Sequence, residues 1–237
     1  MELCREGGVK KLVYISSCSV YGVADYETDQ LVTEDASLER YPEKRGNYSA
    51  SKQEAESFVI EEMGKKSFPI VILRPGSIFG PGGDIFTGML GFSLKGKAFI
   101  VIGNGKFELP FVYVDNLVDA IIKSIKGKKA DNKIFNIVDS EKVDKRLYME
   151  KLVKKLYPGT PVFYFPYKLL DGITFCQELF FKLLKRNPVL TRYRLTSSQR
   201  NVRYDNSKIT ETLKWTPKVS VDDALTAIYE YEKERQR

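Results

Sequence analysis

The chain contains no histidine. The side chain that most readily exchanges protons near neutral pH is missing, so acid–base chemistry falls to other groups. Cysteine is nearly as scarce. Cys4, Cys18 and Cys176 are odd in number and lack metal-ligand spacing. That pattern argues against a zinc or non-haem iron site and reads as reduced, cytosolic thiols. No internal repeat, low-complexity linker or secretory leader stands out. A phosphate-binding loop is also missing. Gly80-Pro-Gly-Gly83 follows a strand pattern but lacks the Lys-Ser/Thr pair, and Pro81 removes an amide donor. It reads as a loop over a site. Gly7-Gly8 precedes a strand, the wrong order for a pyrophosphate turn.

Positive charge is in excess, with a formal net charge of +7. Basic residues gather at Lys126-Gly-Lys-Lys129 and between Lys182 and Arg194, and the rest are dispersed. A nucleic-acid interface would need a concentrated stripe on a binding fold. No such motif is present, so nucleic acid is not an expected partner and the charge reads as a solvated basic surface. The 237 residues suffice for one domain with a sizeable core plus a small lobe.

What is present is a pattern of buried apolar strands alternating with helices. Lys11-Leu-Val-Tyr-Ile-Ser16 reads as a strand, Tyr48 to Met63 as a helix, and Pro69-Ile-Val-Ile-Leu-Arg74 as the next strand. This order implies a parallel α/β sheet, which places its sites at the carboxyl ends of strands. Ser17 falls at such an end. Tyr48 and Lys52 lie at i, i+4 spacing, on one face of a helix. A phenol titrates near ~10, and a neighbouring ammonium favours its ionised form. A serine hydroxyl, a phenol and an ammonium together can move a proton at a carbinol or carbonyl oxygen.

Further along, Asp84 to Lys95 is expected to be helical and Ala98-Phe-Ile-Val-Ile102 a strand. Phe111-Val-Tyr-Val114 reads as a short strand, with Asp115 as the N-cap of a helix ending near Lys126. Lys133-Ile-Phe-Asn-Ile-Val138 is another strand, and Asp205-Asn-Ser-Lys208 caps the helix that carries Leu213. Trp215-Thr-Pro217 ends that helix, and Val221 to Tyr231 forms the last one.

These segments resemble the extended short-chain dehydrogenases/reductases, the NAD-dependent epimerase/dehydratase superfamily. Val13-Tyr-Ile-Ser-Ser-Cys-Ser-Val-Tyr-Gly22 is similar to the family's catalytic-serine strand. Asn47-Tyr-Ser-Ala-Ser-Lys-Gln-Glu-Ala-Glu56 is similar to its Tyr-x-x-x-Lys helix. Leu73-Arg-Pro-Gly-Ser-Ile-Phe-Gly-Pro-Gly82 resembles the strand and loop facing the nicotinamide. Phe111-Val-Tyr-Val-Asp-Asn-Leu-Val-Asp-Ala120 and Leu213-Lys-Trp-Thr-Pro217 resemble later landmarks. The resemblance implies a Rossmann-like parallel sheet lacking its first strands, with a small C-terminal substrate lobe. Residues 1–140 would be the later part of the dinucleotide-binding domain, with a substrate-lobe excursion near 84–110. Residues 141–237 would be mainly the substrate-binding lobe. It implies NAD or NADP as cofactor, Tyr48 as general acid/base and Ser17 as holder of the reacting oxygen. Lys52 would lower the tyrosine pKa and bind the nicotinamide ribose. Pro75, Gly76 and Ile78 would line the nicotinamide.

Two departures refine this expectation. The family's opening strand and Gly-x-x-Gly-x-x-Gly turn have no counterpart here. The first residues resemble the end of the helix before the catalytic-serine strand, so the chain is expected to be N-terminally truncated. Members acting on nucleotide-diphospho-sugars carry an arginine just before the strand that Phe111 opens, where its guanidinium suits the diphosphate. Leu109 stands there instead, beside Glu108. The Leu-Pro-Phe-Val-Tyr-Val-Asp-Asn116 form is more similar to the 3β-hydroxysteroid dehydrogenase-like branch. The expected function is NAD(P)-dependent oxidoreduction of a secondary alcohol or ketone. Nucleotide-sugar epimerisation or dehydration, and a non-catalytic binding module, are the alternatives. The expected partner is a small molecule bearing a hydroxyl or carbonyl, and a homodimer is compatible with the reading. Segment 163–185 concentrates aromatics and leucines and reads as a helix packed into the lobe. Peripheral membrane contact is its alternative, on a protein otherwise read as cytoplasmic.

Overall fold

Continuous β-branched and leucine runs cannot leave one face in water, and here both faces are covered. The computed structural model describes residues 2–235. Leu12–Ile15, Ile70–Pro75 and Lys133–Ile137 form a parallel sheet with Ile70–Pro75 in the centre. The register pairs Leu12 with Ile70 and Val71 with Lys133. Side chains alternate across the pleat. Leu12, Tyr14, Ile70 and Ile72 pack with Val59, Ile60 and Met63 of the helix Asn47–Gly64. Val13, Ile15, Val71 and Leu73 pack on the opposite face with Leu117 and Ala120 of the helix Val114–Lys126, and with Trp215. Trp215 is fully buried and its indole N–H donates to the Asn116 carbonyl at 3.2 Å. The fold is thus α/β with a Rossmann-like parallel sheet.

A second sheet contains Gly91–Ser93, Phe99–Ile102 and Val162–Phe165. Phe99–Ile102 lies in the middle, parallel to Val162–Phe165 and antiparallel to Gly91–Ser93. Its core includes Leu90, Phe99, Val101, Met149, Leu152, Leu225 and Ile228. The contributing helical stretch 145–156 passes through a π-helical turn at Met149–Val153. The last helix is Val221–Arg235.

Three expectations are corrected. Residues 84–95 are not a helix but turns leading into the strand Gly91–Ser93. Gly91 has φ 157°, and a Cβ there would sit 1.9 Å from the Ile100 carbonyl oxygen, so only glycine permits this strand approach. Asp115 is not the N-cap. The helix starts at Val114, directly out of the strand Phe111–Tyr113, so the cap position falls on Tyr113. Asp139 instead reaches this junction, accepting from the Tyr113 backbone N–H at 2.8 Å and from Asn116 Nδ2 at 3.0 Å. Burial pushes the Asp139 carboxyl up to about 6. The third correction concerns segment 163–185. It gives the strand Val162–Phe165 and the helix Tyr167–Leu183, but only Thr174 of that helix is buried.

Candidate active site

The carboxyl end of Leu12–Ile15 opens into a cleft of ≈430 Å³. Ser16 continues the ladder by donating its backbone N–H to the Leu73 carbonyl at 2.7 Å. Ser17 then leaves it in extended conformation and caps the short 3₁₀ turn Cys18–Val20, its Oγ accepting from Ser19 N–H at 3.1 Å. Cys18 is buried beneath, donating its Sγ–H to the Arg74 carbonyl at 3.2 Å. Burial holds its thiol protonated, well above the ordinary range, which makes it inert.

The helix Asn47–Gly64 presents its first turn to the same cleft. Gly46 precedes it with φ 135°, a backbone state that side chains disfavour. Tyr48 is 61% exposed. Lys52 lies one turn on and donates its Nζ to the Ile15 carbonyl at 2.9 Å, tying the helix to the strand end. After the central strand, the backbone N–H of Gly76 donates to the Ile137 carbonyl at 2.9 Å, and that of Ser77 to the Pro110 carbonyl at 2.7 Å. A Cβ at Gly76 would lie 2.1 Å from the Pro110 oxygen, so the chain passes there only as glycine. Ser17, Tyr48, Lys52, Pro75, Gly76 and Ile78 all line this one cleft. Ile78 is half exposed on its rim. Beside the Lys52 ammonium, this apolar wall is a donor set suited to a flat ring and the hydroxyls of a ribose.

Arg45, Ser19, Met89 and Tyr204, which sequence reasoning did not single out, also line the cleft. Apart from Ser19, two residues after Ser17, they come from separate segments and share no spacing signal. It also left aside a buried network under the cleft. Arg74 Nε donates to both Glu56 oxygens at 3.1 Å, and Nη2 donates to Oε1 at 2.6 Å. Arg74 Nη1 donates to Tyr21 Oη at 2.8 Å and to the Glu34 carbonyl at 2.9 Å. Tyr21 in turn donates to Asn136 Oδ1 at 2.6 Å. Burial opposes the charge on Arg74, but the Glu56 carboxylate and Tyr21 outweigh it and hold the guanidinium protonated. Burial likewise raises the Tyr21 phenol above its ordinary value, against the pull of Arg74. The signal was available: Tyr48, Lys52 and Glu56 recur at four-residue spacing along one helix face.

Leu109, where the family resemblance led one to expect a phosphate-binding arginine in sugar-nucleotide enzymes, is buried. Its neighbour Glu108 pairs with Lys142 at 2.9 Å.

Known proteins resemble this chain in sequence and fold. The chain is 30% identical over 238 residues to 3beta-hydroxysteroid-dehydrogenase/decarboxylase isoform 1 of Arabidopsis thaliana, covering 95% of this chain and 54% of that protein. It is 30% identical over 223 residues to UDP-glucose 4-epimerase of Vibrio cholerae, covering 93% of this chain and 62% of the epimerase. The chain therefore spans only about half to two thirds of the length of these relatives. Among solved structures, UDP-glucuronic acid 4-epimerase from Bacillus cereus in complex with NAD superposes with TM-score 0.70 at 22% identity, covering 100% of this chain and 65% of that one. That likeness carries the fold. Residues 1–138, which hold the parallel sheet and the Ser-Tyr-Lys cleft, match the NAD dependent epimerase/dehydratase family. The chain belongs to the NAD dependent epimerase/dehydratase family.

Proposed function

We propose that this cleft serves NAD(P)-dependent oxidation or reduction at a secondary alcohol or ketone. One observation carries the reading: Ser17, Tyr48 and Lys52 share a cleft with the apolar Pro75–Ile78 wall. Tyr48 Oη takes the proton from the carbinol oxygen, or returns it to the carbonyl. Ser17 Oγ holds that same oxygen by a hydrogen bond. Lys52 supplies positive charge on the phenol's helix face and a donor to ribose hydroxyls. Pro75, Gly76 and Ile78 form the wall for the nicotinamide, and Tyr48 closes its open side. A bound nicotinamide supplies the hydride acceptor or donor. In the same reading, residues 1–140 are the later part of the nucleotide-binding domain, with a substrate-lobe excursion near 84–110, and residues 141–237 mainly a lobe over the substrate.

Epimerisation of a nucleotide sugar is the second reading, supported by the similarity to the Vibrio cholerae epimerase. Buried Leu109 and anionic Glu108 speak against it, because neither binds a diphosphate.

The test is an assay of the protein carrying this chain with NAD or NADP, steroid-like secondary alcohols and UDP-glucose. Net growth of reduced-nicotinamide absorbance with an alcohol is expected. Tyr48→Phe should lower turnover by roughly 10²-fold or more while sparing cofactor binding, since it removes only the proton carrier. Near-normal turnover of that variant excludes Tyr48 as the acid/base. Conversion of UDP-glucose without net reduction favours the epimerase.

We also propose that the helix Tyr167–Leu183 makes peripheral contact with a membrane surface. Leu169, Ile173, Phe180 and Leu183 fall on one stripe of it, each more than half exposed, and Lys182, Lys185 and Arg186 follow at its end. No helix among the described residues is long and apolar enough to cross a membrane.

A further inference from the structure

One wall of the cleft belongs to a segment without regular secondary structure. Met89 lines the cleft and comes from the turns of residues 84–90, ahead of the strand Gly91–Ser93. Such a segment has no ladder to fix its place, so its carbonyls are held from outside. Tyr148 Oη donates to the Ile85 carbonyl at 3.0 Å, and Gln199 Nε2 to the Met89 carbonyl at 3.1 Å. The Ile102 backbone N–H donates to the Leu90 carbonyl at 3.0 Å. The last two contacts lead to one side chain. Lys145 Nζ donates to Gln199 Oε1 at 2.5 Å and to the Ile102 carbonyl at 3.0 Å. Lys145 is fully buried, with Nζ 4.8 Å from the Phe107 ring centroid. A buried amine is costly to desolvate and settles only where its donors are met, which fixes Gln199 and Ile102 about it. Neither Lys145 nor Gln199 lines the cleft itself.

We propose that Lys145 and Gln199 are positioning residues for substrate recognition: Lys145 orients the Gln199 amide, and the amide holds Met89 against the hydrocarbon body of the substrate. This rests on the reading of the cleft as a carbinol site. Ser17 and Tyr48 address the carbinol oxygen, while Ile78, Met89 and Pro110 are the apolar lining on which its carbon frame lies. An amide suits this place because it accepts at one atom and donates at the other. With Oε1 turned to Lys145, Nε2 is turned to the Met89 carbonyl. A thioether side chain adapts to many shapes, so the place where its backbone is held decides which ring it meets.

Gln199→Glu separates the two bonds. A carboxylate still accepts from Lys145, now as an ion pair, but has no proton to give the Met89 carbonyl. The chain holds four methionines, so isotope-labelled methionine methyls give a resolved NMR signal for Met89, assigned through Met89→Leu. Gln199→Glu is expected to shift the Met89 methyl and to leave the methyl of Met63, in the helix Asn47–Gly64, unmoved as a check on folding. Lys145→Leu should shift Met89 too, since the Gln199 amide is then free to turn. The binding probe is cyclohexanol, followed by the same signals. It should perturb Met89 in the parent chain and bind roughly fivefold more weakly to either variant, the factor for one lost hydrogen bond. Either variant decides alone should the other not fold. An unmoved Met89 signal in the variants, no response of Met89 to cyclohexanol, or equal affinity in parent and variants overturns the proposal. The carbinol reading fails separately. If methoxycyclohexane, whose oxygen has no proton to give, matches cyclohexanol and Tyr48→Phe alters neither, while the variants still weaken both, the positioning role stands without it.

Discussion

Lys145 shows how a single residue can be set by its surroundings. Its side chain is fully buried, donating to the Ile102 carbonyl at 3.0 Å and to Gln199 Oε1 at 2.5 Å, with Nζ 4.8 Å from the Phe107 ring centroid. Among the described residues no carboxylate pairs with it, and burial pushes its amine down to about 7. An unfolded lysine titrates near ~10.4. Between about pH 7 and that value the unfolded chain holds a proton that the folded chain has released. Lys145 therefore makes stability rise with pH across this window, by at most ~1.4 kcal/mol per pH unit. Urea midpoints measured from about pH 7 to 9 should show this slope, and Lys145→Met should flatten it. Parallel slopes in the two proteins would contradict the assignment. Nothing in the local sequence marks Lys145 as buried. By contrast, Ser17, Tyr48 and Lys52 were legible, because their spacing and their place at a strand end and a helix start are local properties.

At the scale of elements, the buried Glu56–Arg74 pair fastens the helix of Tyr48 and Lys52 to the central strand. Both side chains are almost wholly buried, so neither charge can fall back on water. Arg74→Ala strands the Glu56 carboxylate, and the expected loss is ~3–5 kcal/mol. The double variant Glu56→Leu with Arg74→Met should recover much of it, since no charge is left unpaired. Urea unfolding of the three proteins checks this, and a double variant no more stable than Arg74→Ala would refute it. The parallel strands and the long helix were legible from apolar runs and periodicity. Residues 84–95 were not, because their strand depends on a neighbour, Phe99–Ile102, that accepts Gly91 at close range. Asp115 was misread by two positions. The strand passes into the helix without a loop, and the junction is satisfied by Asp139, distant in sequence.

At the scale of the whole molecule, the helix Tyr167–Leu183 leaves an apolar stripe uncovered. The helix Tyr167–Leu183 was expected to pack into the lobe, yet Phe180 is 57% and Leu183 76% exposed. The helix is nevertheless anchored along its length, by Arg192 to Asp171 at 2.8 Å and by Gln177 Nε2 to the Leu190 carbonyl at 2.7 Å. The protein should therefore sediment with vesicles of phosphatidylcholine and phosphatidylserine, less so with phosphatidylcholine alone or in high salt. Phe180→Asp with Leu183→Asp should abolish it. Equal recovery in the supernatant with every vesicle would refute membrane contact, and concentration-dependent dimers lost in the same variant would assign the face to a second copy. Periodicity and motif spacing, carried by neighbours along the chain, were enough to read the α/β order, the placement of Ser17, Tyr48 and Lys52 at a strand end and a helix start, and the family resemblance. Only the tertiary structure decided the rest: that Ser16, Ser19 and Arg45 join the cleft, that Arg74 finds Glu56, and that an apolar helix stays uncovered. Those facts depend on which distant surfaces meet and exclude water, and burial sums contributions that no local window contains.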